Sequence, residues 1–146
     1  MLELDKSIQL IGENRDETII NYNKSSAGIL FSNILISADN CIIKGFKISS
    51  GESLINNQGI KVTSSNNIIS DNIILYGDDG IYLEEDSTNN TITRNNFSNS
   101  TKGVYIYLSE DNNIYNNNFS SSSYNSIYVY GSDNNVIFDN YFSSNT

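Results

Sequence analysis

The 146-residue sequence contains no proline, tryptophan or histidine, and one cysteine and one methionine. Without histidine, no imidazole is available as a general base or metal ligand. The lone Cys41 cannot close an intramolecular disulfide, and within the apolar run Cys41-Ile42-Ile43 it reads as a small buried hydrophobe rather than a reactive thiol. Positive charge is scarce: 8 Lys and Arg face 17 Asp and Glu, for a net charge of −9. Such a surface repels phosphate backbones and offers anionic lipid no basic run, which argues against nucleic-acid binding. No run approaches the ~18 apolar residues of a membrane helix, so membrane insertion is not expected. No signal peptide precedes the first strand-like segment.

Asparagine and serine together make up about a third of the chain, and the 38% hydrophobic fraction is rich in Ile, Tyr, Phe and Val, which favour strands. Composition alone would suit a disordered polar tract, but periodicity argues otherwise. The pattern Ile-x-x-Asn-x-(Ile/Phe) recurs with its first Ile at 43, 69, 92, 114 and 137, in steps of 26, 23, 22 and 23. Its Asn column is Asn72, Asn95, Asn117 and Asn140, with Phe46 in that place one repeat earlier. Its closing apolar column is Ile48, Ile74, Phe97, Phe119 and Phe142. Between these segments lies another strand-like element: Gly59-Ile60-Lys61-Val62, Gly80-Ile81-Tyr82-Leu83, Gly103-Val104-Tyr105-Ile106 and Ser126-Ile127-Tyr128-Val129. Its alternation marks a strand with one buried face.

A period of about 23 residues without a helix-length segment predicts an all-β, right-handed, single-stranded parallel β-helix. About six coils with three short strands each are expected. The domain spans 1–146, with an irregular first coil over 1–33 and regular repeats over 34–143. No coil can bury its Ile and Phe alone; stacked at about 4.8 Å, like residues form continuous columns. The Asn column would form an amide ladder, each amide bonding the next at a tight turn. An antiparallel sandwich would need hairpin turns, yet the single Asp-Gly, Asp79-Gly80, recurs in register as Gln58-Gly59 and Lys102-Gly103. The last residues follow a core strand with no capping segment. This points to a fragment of a longer protein and to end-to-end self-association through the uncapped C-terminal coil.

Alternation with Ile81, Leu83, Val104, Ile106, Ile127 and Val129 inward turns Tyr82, Tyr105 and Tyr128 outward as one column, with Lys61 below. Tyr107 and Tyr130 extend the same face. Flat tyrosine rows offer stacking and hydroxyl bonds to sugar rings, so these residues and Lys61 are the candidate ligand-binding set. The competing reading is cross-strand tyrosine pairing that only stabilises the sheet. Acidic residues gather at the following turn. Glu85, Asp86, Glu110 and Asp111 are candidate calcium ligands if stacking brings them together, against the alternative of a solvated acidic turn. This acidic flank favours a neutral or amino-sugar glycan over a polyuronate.

Asp5-Lys6-Ser7-Ile8-Gln9-Leu10-Ile11-Gly12 resembles the opening of NosD-type β-helix proteins, and the Asn-Asn-x-Ile and Gly-Ile-Tyr-Leu elements resemble their repeats. The resemblance spans roughly residues 4 to 143. It implies kinship with the carbohydrate-binding and sugar-hydrolysis, pectin-lyase-like β-helices, and an extracellular or cell-surface location for the parent protein. Named members include a periplasmic factor for copper-site maturation, but this sequence offers copper no histidine, one Cys and only Met1. Asp78-Asp79-Gly80-Ile81 is similar to the paired-Asp motif of polygalacturonases, making Asp78 and Asp79 the candidate catalytic carboxylates. The other motifs of that group are missing: Asn57-Gln58-Gly59 carries amides where a third Asp would sit, and Thr101-Lys102-Gly103 replaces Gly-His-Gly. Five Asn-x-(Ser/Thr) sequons, at Asn23, Asn89, Asn96, Asn99 and Asn118, are what chance gives in so Asn- and Ser-rich a chain. The expectation is a non-catalytic surface module without cofactor, carbohydrate-binding or structural and adhesive. The alternative is a fragment of a polysaccharide hydrolase or lyase.

Overall fold

Each repeat folds into three short strands that lie on the matching strands of the repeats before and after it. A computed structural model describes residues 1–21, 31–50 and 56–144. Asn23, part of the first coil, and residues 145 and 146 fall outside that set. The first sheet stacks Leu2–Leu4, Phe31–Ile36, Asn57–Val62, Asp79–Leu83, Lys102–Tyr107 and Asn125–Tyr130 in that order. The second stacks Gln9–Ile11, Ile42–Lys44, Ile68–Ser70, Thr91–Thr93, Asn113–Tyr115 and Val136–Phe138. The third stacks Ile19–Asn21, Lys47–Ser49, Ile73–Leu75, Asn96–Ser98, Asn118–Ser120 and Tyr141–Ser143. All neighbours pair in parallel, so the fold is a parallel β-solenoid and not an antiparallel sandwich. The strand that carries Ile34, Leu35 and Ile36 spans Phe31–Ile36.

Register turns the periodic sequence into homogeneous core columns. Ile34, Ile60, Ile81 and Val104 form one; Ile43, Ile69, Ile92 and Ile114 another; Ile48, Ile74, Phe97 and Phe119 a third. All are at most 1% exposed, and burying each such side chain contributes about 1.5–3 kcal/mol. Phe97 and Phe119 stack with centroids 4.7 Å apart. In the last coil Ile137, Phe138 and Phe142 are 41–50% exposed.

Two asparagine ladders run up the corners. In the one legible from the sequence, the backbone N–H of Phe46 donates to Asn72 Oδ1, that of Asn72 to Asn95, that of Asn95 to Asn117, and that of Asn117 to Asn140, at 2.9–3.1 Å. The side-chain amides of Asn72, Asn95 and Asn117 donate to the next Oδ1 as well. A second ladder, not anticipated, starts at Cys41 N–H and climbs through Asn67, Asn90, Asn112 and Asn135. Each ladder residue follows one with positive φ: Asn40, Asn66, Asn89, Asp111 and Asn134 for the second ladder; Gly45, Asp71, Arg94, Asn116 and Asp139 for the first. This explains the doublets Asn66-Asn67, Asn89-Asn90, Asn116-Asn117 and Asn134-Asn135, whose two residues do different work. The first takes the left-handed conformation that Asn tolerates, and the second supplies the ladder amide.

Gly59, Gly80 and Gly103 are stacked where the chain enters the first sheet. A Cβ at Gly103 would lie 2.5 Å from the Phe119 ring and from the Ser126 carbonyl oxygen.

Two predictions test these columns. Asn95→Ala and Asn117→Ala should each destabilise by about 1–3 kcal/mol, because buried amide partners are left unpaired. Asn118→Ala, on the exposed side of its strand, should stay within about 0.5 kcal/mol. Asn99 is a poorer control because its φ of 58° would strain an alanine. Equal shifts at all three sites in urea melts would contradict the ladder. Gly103→Ala should destabilise by about 1–3 kcal/mol through overpacking, and an unchanged melting temperature would mean the Phe119 column relaxes freely.

Candidate ligand groove on the first sheet

The outward residues of the first sheet form three parallel columns. The central one runs Leu35, Lys61, Tyr82, Tyr105, Tyr128. Beside it run Ser32, Gln58, Asp79, Lys102 and Asn125. On its other side Tyr107 pairs with Tyr130, one coil above Glu84 and two above Thr63. The lower part of this surface is concave. A cleft of about 460 Å³ is lined by residues of all three columns together with Asp78, Asn56 and Met1.

Charges in the cleft are paired between coils. Lys61 Nζ lies 2.8 Å from Glu84 Oε1 and 5.8 Å from the centre of the Tyr82 ring. Lys102 Nζ lies 2.8 Å from Asp79 Oδ1, 3.9 Å from Asp78 and 5.1 Å from the centre of the Tyr105 ring. Burial holds the Asp79 carboxyl above its usual range, partly offset by the Lys102 hydrogen bond and charge. Burial alone would lower Lys102, but the hydrogen bond and charge of Asp79, with Asp78 adding, hold it above its ordinary value. Both ends of this pair therefore rise, and the lysine stays charged. The Tyr82 hydroxyl is pushed up to about 12, chiefly by burial and then by the charge of Glu84.

Above the cleft the surface becomes aromatic. Tyr82 and Tyr105 have centroids 5.1 Å apart, Tyr105 and Tyr128 5.2 Å, and Tyr107 and Tyr130 5.6 Å. Tyr105 meets Tyr107 edge-on at 6.0 Å. The rings are half-buried against one another, with Tyr130 more exposed.

The tyrosines and the carboxylates Asp78 and Asp79, separate candidates in the sequence, thus share one surface. Glu84, from the acidic turn that flanks the tyrosines, joins them, as do Gln58 and Lys102, which were not binding candidates. A signal for two of them existed: Lys61 and Glu84, like Asp79 and Lys102, are opposite charges 23 residues apart. The calcium candidates Glu85, Asp86, Glu110 and Asp111 stay outside the cleft. No group of three or more His, Cys, Asp or Glu able to hold a metal converges among the described residues.

A further ion pair lies at a corner away from this face, where Arg94 Nε and Nη2 grip Asp71 at 2.8 and 2.9 Å. The Arg94 hydrogen bond holds Asp71 below 3.8. Asp71 thus adds stability above that pH, which is lost as pH falls through its folded value. Asp79 has the opposite sign: its favourable share is present below 3.8 and is lost as pH rises through its raised folded value. Across this window, rising pH should shift the stability difference from the parent in favour of Asp79→Asn and against Asp71→Asn. Urea melts over a pH series check this, and shifts of one sign at both sites would contradict the assignment.

A family model described as "Periplasmic copper-binding protein (NosD)" matches residues 2–146. Comparison with curated proteins and with solved structures gives no match. The residues of this chain do not fit copper. Cys41 is 1% exposed and its thiol donates to the carbonyl oxygens of Lys6 and Ala38 at 3.4 and 3.3 Å. The Met1 sulfur accepts from the Ser32 hydroxyl at 3.5 Å, whereas copper selects convergent imidazole and sulfur ligands. The match spans nearly all the coils described above, and on that ground the chain belongs to the NosD family.

Proposed function

We propose that the chain is a non-catalytic module working outside the cytoplasm that binds an oligosaccharide along the outer face of its first sheet. The observation that carries this reading is the continuity of a polar cleft with a tile of tyrosines. Sugars present apolar ring faces edged by hydroxyls, and such surfaces are matched by aromatic planes beside fixed donors and acceptors. Coils spaced at about 4.8 Å give the run from Lys61 to Tyr128 a length of about 14 Å, enough for roughly three sugar rings along the axis. The family's description as periplasmic supports a location beyond the cytoplasmic membrane.

A specific observation weighs against the hydrolase alternative. Inverting hydrolysis needs one carboxylate as acid and another as base flanking the bond. Here Asp79 is already engaged by Lys102 at 2.8 Å, and Gln58 occupies the neighbouring position of the column. The chain should therefore release no reducing ends from polygalacturonate. Release that disappears in an Asp78→Asn, Asp79→Asn double variant would revive the enzymatic reading.

The binding test is a glycan array followed by calorimetry. Tyr105→Ala, Tyr128→Ala should abolish binding while keeping the parent's circular dichroism. A folded double variant that binds as well as the parent would refute the tyrosine face. In that case the tyrosines act as cross-strand packing and the module as scaffold.

A further inference from the structure

We infer that the groove selects oligosaccharides bearing free, charged amino groups, with Asp78 as the carboxylate that receives the amine and Glu84 as its support. This rests on the reading of the groove as an oligosaccharide site and concerns which sugars it takes.

Among the side chains lining the cleft, two lysines face three carboxylates. Both lysines are committed. Lys61 is held by Glu84 at 2.8 Å and Lys102 by Asp79 at 2.8 Å, and each also lies over a tyrosine ring. An anionic sugar would have to break one of these pairs to reach a cation, leaving a partly buried carboxylate without its partner. Asp78 is the remaining carboxylate. Its backbone is fixed, its N–H donating to Asn57 O at 2.8 Å and its carbonyl accepting from Lys102 N–H at 2.7 Å. Its nearest cation is Lys102 at 3.9 Å, whose closer contact is Asp79. The Asp78 side chain, in the cleft lining, is 27% exposed and that of Glu84, held by Lys61 at Oε1, is 38% exposed. Met1, whose amino group is a third cation of the lining, stands against Ser32, two coils below Asp79 in the same column, so about 10 Å away by strand spacing. An ammonium entering beside Tyr82 therefore meets an excess of negative charge and a ring face, both favourable to a cation. The net charge of −9 adds long-range attraction for a polycation.

The probes are β-linked tetrasaccharides of glucosamine and of N-acetylglucosamine, measured by calorimetry on the whole chain at low and high salt. The free-amine form should bind about tenfold more tightly at low salt, and this margin should shrink as salt screens the pair. Asp78→Asn should reduce the margin to about twofold, and Glu84→Gln should act in the same direction by a smaller factor. Circular dichroism confirms that each variant folds. Equal affinity for the two probes would overturn the amine inference and leave the oligosaccharide groove standing. So would a margin that survives both substitutions, or tighter binding of a uronate tetrasaccharide. Binding of neither probe, with an empty glycan array, would remove the groove reading itself.

Discussion

The structure depends on one repeated interaction: the backbone N–H at a tight corner donating to the side-chain oxygen of an asparagine one coil further on. A corner with positive φ turns its peptide groups out of the strand ladder, and within a stack those groups cannot reach water. Asparagine supplies an acceptor for the coil before and a donor for its own lattice, so the same residue solves the problem at every level. Two such ladders at adjacent corners lock the register of all three sheets, because a slip by one residue would unpair every rung together. The aliphatic columns contribute the bulk of the stabilisation. The ladders make the stacking unique.

Fixed register turns the outer face into a grid in which each position is one coil above its counterpart. Identical charges so stacked would repel at strand spacing. On the first sheet Asp79 instead meets Lys102 directly one coil above it, and Lys61 reaches diagonally to Glu84 of the next coil. The same rule operates at a corner, where Arg94 meets Asp71. These pairs follow from solenoid stacking alone and do not by themselves argue for a ligand. What departs from the rule is more informative. Asp78 lies in the cleft sharing Lys102 with Asp79, which holds the closer contact, and the tyrosines are gathered in the upper coils rather than spread along the face.

The fold could be read from the sequence because a solenoid writes its register into a linear period. Ile43, Ile69, Ile92 and Ile114 are equivalent in sequence and become one column in space. The outward tyrosines were equally legible from strand alternation. The second ladder was hidden by composition: where asparagine is so common, Asn67 or Asn90 carries little information until the positive φ of the residue before it is known. The cleft was illegible for another reason. Its lining draws Met1 and Asn56 together with the charged pairs, Lys61 and Tyr82, and no periodic pattern encodes that set. Glu85, Asp86, Glu110 and Asp111 failed to assemble because each follows its own turn. The N–H of Asp86 donates to the Leu108 carbonyl and that of Asp111 to the Asp133 carbonyl, which stacks the backbones without converging the carboxylates.

Belonging to a family described as copper-binding does not give this chain copper ligands. What such chains share is the coil, and the coil is built from residues whose work is internal: Ile and Phe in columns, Asn at corners, Gly where strands crowd. A match over residues 2–146 is therefore a match to a scaffold, and scaffolds of this kind carry whatever chemistry their outer columns hold. In this chain those columns hold tyrosine hydroxyls, amides, carboxylates and paired ammonium groups. Imidazole is missing and the thiol is sealed beneath the Lys6 and Ala38 carbonyls. These are hard oxygen and nitrogen groups arranged beside aromatic planes, a chemistry suited to hydroxyls and amines rather than to a soft metal ion. The function of the chain is accordingly to be sought on the first sheet, where the repeat is least uniform, and not in the features that define the family.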